Sequence, residues 1–143
     1  VSIFTGNMSN GRVGVNSMTR QQRHNSIKQE EQIFIYIREN RVDKVIEYLK
    51  NENSTPQKSR WSGWTLLHRA AERGHTQLCQ LLISNGAKIN ARTAMGWYTP
   101  MHICLANGWV DTAEVLVNLG GDLYAKSKHG ETPAQYGIKR GFR

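Results

Sequence analysis

"GWTLLHRAAERGH", residues 63–75, is matched 34 positions further on within "YTPMHICLANGW", residues 98–109. In both, a Thr (Thr65, Thr99) is followed three residues later by a His (His68, His102) and six after that by a Gly (Gly74, Gly108). The spacing continues outward. Thr132 lies 33 residues beyond Thr99 and Gly141 33 beyond Gly108, while Gly86 and Gly120 are 34 apart. Asn40 lies 34 before Gly74, which brings an earlier and divergent segment into the same register. A fixed period of this length sets the architecture before any motif search, because each unit is too small to bury its own apolar face and must stack on its neighbours.

The residue types at the repeated positions have local reasons. Thr65, Thr99 and Thr132 sit where a side-chain oxygen can accept from an unpaired amide of a first helical turn. Pro100 and Pro133 follow at the first helical position, where a missing N–H costs nothing, and Leu66 takes that place in the earlier copy. His68 and His102 fall one turn in, placed to bond the backbone of a neighbouring turn. Ala70, Ala71 and Ala106 keep the first helix thin. Gly74, Gly108 and Gly141 end it in a conformation cheapest for glycine. Leu78, Leu81, Leu82 and Ile83 then form an apolar stripe on a second helix, matched by Ala113, Val115, Leu116, Val117 and Leu119.

On these residues, "GWTLLHRAAERGHTQLCQLLISNGAKINA" resembles an ankyrin repeat almost position for position, and "TPMHICLANGWVDTAEVLVNLGGDLYA" resembles a second. "HGETPAQYGIKRGF" is similar to the first half of another. The resemblance implies an all-α solenoid of stacked helix-turn-helix pairs joined by β-turn or hairpin fingers. The repeats are expected at 62–94 and 95–127, with a partial repeat at 128–143 and a divergent one at 30–61. That divergent unit rests on "EEQIFIYIREN" and "VDKVIEYLKN", read as two short helices broken near Asn40, with Val42, Val45, Ile46 and Leu49 at helical spacing. Three departures stand out: "AMGWYT" carries one extra residue before Thr99, so its finger should be longer or bulged; Gln135 stands where His is expected; and Tyr124 replaces the counterpart of Asn90. The last repeat lacks a second helix, which favours a fragment of a longer protein over a cap.

Residues 1–29 are rich in Gly, Ser, Asn and Gln without a sustained period, and read as a flexible basic arm. They hold four Lys/Arg and no acid, and residues 30–143 hold 15 Lys/Arg against 11 Asp/Glu, so the formal charge of +8 divides evenly. Such a charge draws the chain toward acidic partners. The arm also has the composition of an organelle transit peptide, but it starts without Met and shows no clean amphipathic helix. No stretch approaches the ~18 consecutive apolar residues of a membrane span. Cys79 and Cys104 form neither a C-x-x-C pair nor a disulfide framework, which suits a reducing compartment; the cytoplasm is the expected location, with the nucleus as the alternative.

Nothing in the pattern points to catalysis. His75 and His129 fall at loop positions with no Cys, Asp or Glu at ligand spacing, and His24 lies in the arm, so no metal site is expected. "TGNMSNGRVG" has glycines without the Lys-Ser/Thr of a phosphate loop. No serine nucleophile or paired carboxylates sit in a shaped segment, and neither an enzyme activity nor a cofactor is expected.

The resemblance instead implies a surface. In ankyrin proteins the fingertip residues before the Thr, and the residues just before the helix-ending Gly, face a concave groove. Carried onto this sequence, the positions are Arg60, Trp61, Trp64, Glu72 and Arg73; then Met95, Trp97, Tyr98 and Asn107; then Lys128, His129, Glu131, Lys139 and Arg140. Trp and Arg are frequent at binding hot spots. Trp109, at a second-helix start, reads as packing or a convex-side contact. The expected function is a protein-binding scaffold that docks an acidic, partly apolar segment of another protein, as a monomer or within a hetero-assembly. One alternative is a structural component of a large assembly anchored by the basic arm; a lesser one is the targeting or adaptor portion of a larger enzyme complex. Nucleic-acid binding rests on net charge alone and is not expected, since the positives are scattered among acids.

Overall fold

A computed structural model of the chain describes residues 19–50 and 63–141. The described residues hold seven helices: α1 (Arg20–Arg38), α2 (Val42–Leu49), α3 (Leu66–Arg73), α4 (Thr76–Ser84), α5 (Pro100–Ala106), α6 (Val110–Asn118) and α7 (Pro133–Lys139). The second helices begin at Val42, Thr76 and Val110, at the 34-residue interval of the sequence markers. By compactness the chain divides between Gln32 and Ile33, and the stacked repeats belong to the unit from Ile33 onward.

One difference precedes that unit. The helix starts at Arg20, ten residues inside the segment read as an arm, and α1 is 19 residues long where a short helix from Glu30 was expected. The physical reason is a start signal in "TRQQ": the Thr19 hydroxyl accepts from the Gln22 N–H at 3.2 Å, and the Gln22 side chain accepts from the Thr19 N–H at 2.9 Å. This reciprocal pair satisfies two first-turn donors. Polar composition hid it, because Gln and Arg are good helix formers even without an apolar stripe.

From Ile33 the helices pair and the pairs stack, α3 on α4 and on α5, α5 on α6 and on α7, α4 on α6. A single core runs through them. Ile33, Ile37 and Val45 of the divergent pair join Leu66, Leu67, Ala70, Ala71, Leu78 and Leu82, and continue into Met101, Cys104 and Leu116. Burying each large aliphatic side chain contributes about 1.5–3 kcal/mol, so the stacked faces supply what no single pair could. Gly137 of α7 shows how close the pairs come: a Cβ there would meet the Leu105 carbonyl oxygen at 3.1 Å.

The divergent pair is built like the others. Each first helix ends with a residue of positive φ: Asn40 at 56°, Gly74 at 67° and Gly108 at 78°. The amide after it bonds the carbonyl five residues back, Arg41 to Tyr36, His75 to Ala70 and Trp109 to Cys104. Asn is the non-glycine residue that visits this region most readily, which is why the register survives a changed letter. The next residues, Arg41, His75 and Trp109, have near-identical backbone angles of (−83°, 75°), (−80°, 80°) and (−83°, 74°).

The stripe expected on the last second helix is only partly internal. Ala113 and Leu116 are buried, but Val117 and Leu119 are exposed, as is Val110. Ile83, the counterpart of Val117, packs against the core, on an α4 that α6 covers; no second neighbour covers α6 among the described residues. Cys79 and Cys104 are buried free thiols whose pKa values are both pushed up to about 12 by burial, and the Cys104 Sγ–H donates to the Trp109 carbonyl.

Candidate functional site

Three first helices open with the same device. Thr65 and Thr99 accept from the N–H of His68 and His102, whose Nδ1 in turn accepts from the threonine N–H, at 3.1 Å and 3.2 Å. With Nδ1 occupied as an acceptor, Nε2 must carry the proton. It donates across to the next finger: His68 to the Tyr98 carbonyl at 2.8 Å, His102 to the Glu131 carbonyl at 2.9 Å. Both histidines are fully buried. Burial holds the His102 imidazole below its ordinary pKa, against the opposing pull of its bond to Glu131. Gln135 closes the same box at Thr132.

The finger over residues 92–98 accommodates its extra residue with a dense set of bonds. Thr93 is buried and brackets the loop: its N–H donates to the Tyr98 carbonyl, its hydroxyl donates to the Met95 carbonyl at 2.7 Å, and the hydroxyl oxygen accepts from the Tyr98 N–H. The next finger contributes the Lys128 N–H, which donates to the Gly96 carbonyl. Inside these bonds Trp97 adopts φ 55°, a left-handed conformation that a bulky residue holds only under strain. Met95 is 81% exposed and Trp97 46%, and the Arg92 guanidinium lies 5.9 Å from the Trp97 ring centroid.

The other expected contact residues fall in different settings. Arg60 and Trp61 lie outside the described residues. Trp64 is half-buried, with the Arg69 guanidinium 4.4 Å from its ring centroid. Tyr98 is also half-buried and stacks on Tyr136 at 4.4 Å, over which Arg140 lies at 6.0 Å. Glu72 pairs with Arg69 at 3.3 Å, and both line a cleft with Arg73, Phe34, Ile35 and Arg38. The Asn107 amide turns back to its own helix, donating to the Ile103 carbonyl at 2.8 Å. Lys128 and His129 are exposed. Lys139 meets Glu131 at 2.8 Å; that bond raises the lysine pKa and lowers that of the glutamate.

The residues therefore gather in three places, a fingertip of Arg92, Met95 and Trp97, the next finger with Lys128 and His129, and the faces of the first helices. Sequence reasoning missed Arg92 and the four cleft residues Phe34, Ile35, Arg38 and Arg69. It also missed a pair of ring ties. His75 Nε2 donates to the Arg38 carbonyl at 3.2 Å, and Trp109 Nε1 donates to the Glu72 carbonyl at 2.9 Å, each reaching 37 residues back. Trp109 is a packing residue: its indole covers Gly74 so closely that a Cβ there would lie 2.5 Å from the ring.

Comparison with known proteins accounts for this construction. Residues 67–117 match the family described as ankyrin repeats (many copies). The chain is 31% identical over 99 residues to "Protein phosphatase 1 regulatory subunit 27" of Homo sapiens, covering 69% of this chain and 64% of that protein. It is 34% identical over 95 residues to human "SH3 and multiple ankyrin repeat domains protein 2", covering 66% of this chain and 5% of the relative. A third likeness, 33% over 94 residues, is to "Alpha-latrotoxin-Lh1a" of Latrodectus hasselti, covering 65% of this chain and 7% of the toxin. The chain thus spans just under two thirds of the phosphatase subunit and a small part of the others. Ankyrin repeats generally mediate protein–protein interaction, and with the stacked pairs, the threonine–histidine boxes and these matches together, the chain belongs to the ankyrin-repeat family.

Proposed function

We propose that this chain is a non-catalytic adaptor that grips an acidic, partly apolar segment of another protein through its fingertips and the faces of its first helices. The observation that carries the reading is Trp97. An exposed indole is held in a strained left-handed conformation by a fully bonded and buried threonine, beside an exposed methionine and an arginine. Strain maintained by surrounding bonds is a signature of functional positions, and Trp and Arg are both enriched at interface hot spots. Arg73, Lys128 and Arg140, all at expected contact positions, face solvent and add positive charge for an acidic segment to meet.

The experiment is affinity capture with mass spectrometry on the full chain and on Met95→Ala/Trp97→Ala, after circular dichroism has shown equal helix content. The reading expects a discrete partner lost from the variant. Unchanged capture removes the fingertip from the binding surface. The likeness to a phosphatase regulatory subunit favours one specific arm of the same test, whether a protein phosphatase catalytic subunit is among the captured proteins.

A further inference from the structure

The cleft between the C-terminal end of α1 and α3 has a volume of about 360 Å³ and is lined by Phe34, Ile35, Arg38, Arg69, Glu72 and Arg73. This is near the lower end of the roughly 300–1,000 Å³ of small-ligand pockets, room for side chains and not for a folded element. Its charges are unbalanced. Glu72 is taken by Arg69, which also lies over Trp64. Arg38 and Arg73 are exposed and have no ion pair among the described residues, although one belongs to the divergent repeat and the other to its neighbour. Each arginine is the last residue of its helix, and the His75 bond to the Arg38 carbonyl ties the end of α1 to the turn that follows α3.

We infer that this cleft receives a carboxylate side chain of a partner peptide, together with an adjacent aliphatic side chain. Arg38 and Arg73 bond the carboxylate from opposite walls, and Phe34 and Ile35 receive the aliphatic neighbour. A guanidinium presents planar N–H donors suited to carboxylate geometry, and charge-assisted bonds of this kind are stronger than neutral ones. The apolar part of the wall argues against a more highly charged occupant, and with Glu72 held by Arg69 the two remaining guanidiniums suit one carboxylate. A nucleic-acid backbone offers nothing for Phe34 and Ile35. This inference rests on the adaptor reading, and it adds that the divergent first repeat takes part in recognition.

The test is selection of a random-peptide phage library on the full chain, on Arg38→Gln/Arg73→Gln and on Trp97→Ala, each checked for native helix content. The chain is expected to enrich peptides with Asp or Glu beside an aliphatic residue, and the arginine variant to lose that enrichment. A selected peptide should bind about tenfold or more weakly to the arginine variant, and its Glu→Gln form should bind the unmodified chain equally weakly. Arg73→Glu should lose the acidic peptide and gain its Glu→Lys counterpart, a swap that a merely structural effect would not produce. Enrichment of acidic peptides that is unchanged on the arginine variant overturns the cleft, as does enrichment of neutral or basic peptides or tighter binding of a phosphoserine form. If Trp97→Ala loses all enrichment while the arginine variant keeps it, the adaptor reading stands and the cleft falls; if no peptide is enriched on any form, both fall.

Discussion

Two fingers, residues 92–98 and 126–131, are held at their ends in the same way and differ in what they do between. Each gives a carbonyl, of Tyr98 or Glu131, to a buried histidine of the preceding repeat. Each is bracketed by one buried hydroxyl residue, Thr93 or Ser127. The second finger is relaxed: Ser127 bonds the N–H groups of His129 and Glu131, and the left-handed position is filled by Gly130. The first carries one more residue, and a tryptophan is left in a left-handed conformation with its ring half in water. The anchors are what the repeat needs, and the loop between them is where one repeat can differ from the next at little cost to the stack.

The largest way to break the likeness is to remove an anchor. His68→Ala or His102→Ala leaves a buried threonine N–H without its partner, takes one of two donors from a finger carbonyl and opens a cavity, and each should lower the unfolding free energy by about 2–4 kcal/mol in urea denaturation. A loss under about 1 kcal/mol would mean the fingers are held by something else. Next come the brackets. Thr93→Val should cost about 1–3 kcal/mol, since both hydroxyl bonds go and the strained loop loses its restraint, whereas Ser127→Ala should cost less, about 1 kcal/mol. Trp97→Gly sharpens the contrast from the other side: it should raise stability by about 1 kcal/mol while weakening partner binding, and a loss of stability would show that the indole packs more than its exposure suggests.

The smallest effect is expected from pH. The His102 pKa is lowered in the folded chain, chiefly by burial, so its contribution is complete above about pH 6.5, where the unfolded histidine is neutral too, and is lost as pH falls below that. Protonation places an N–H at Nδ1 against the donating Thr99 N–H. Stability should decline between neutral and mildly acidic pH, less steeply in His102→Gln, which keeps the capping arrangement seen at Gln135. Identical slopes would assign the decline to other groups.

Much of this was legible in the residues and some could not be. Thr65, Thr99 and Thr132 as caps, and His68 and His102 as ties, follow from spacing, because their partners sit within one turn or one repeat. Asn40 was legible as a register mark for the same reason. Thr19–Gln22 was readable as a helix start, yet the polar stretch around it suggested an arm. Val117 and Leu119 show the opposite limit: periodicity identifies an apolar position, but only the neighbouring helix decides whether it is covered. The left-handed Trp97, the ring donors at His75 and Trp109 and the arginines around Phe34 depend on contacts between separate segments of the fold, which no local pattern encodes.

Trp109 has a further use. Its indole rests on Gly74 and hands its N–H to the Glu72 carbonyl, so its surroundings change when two neighbouring repeats come apart. Trp97 stands at a fingertip some distance along the chain from that junction, and Trp61 and Trp64 are the chain's other two indoles. With Trp61, Trp64 and Trp97 all replaced by Phe, Trp109 is the one indole left, and a shift in its emission would register fraying of the stack before any helix melts.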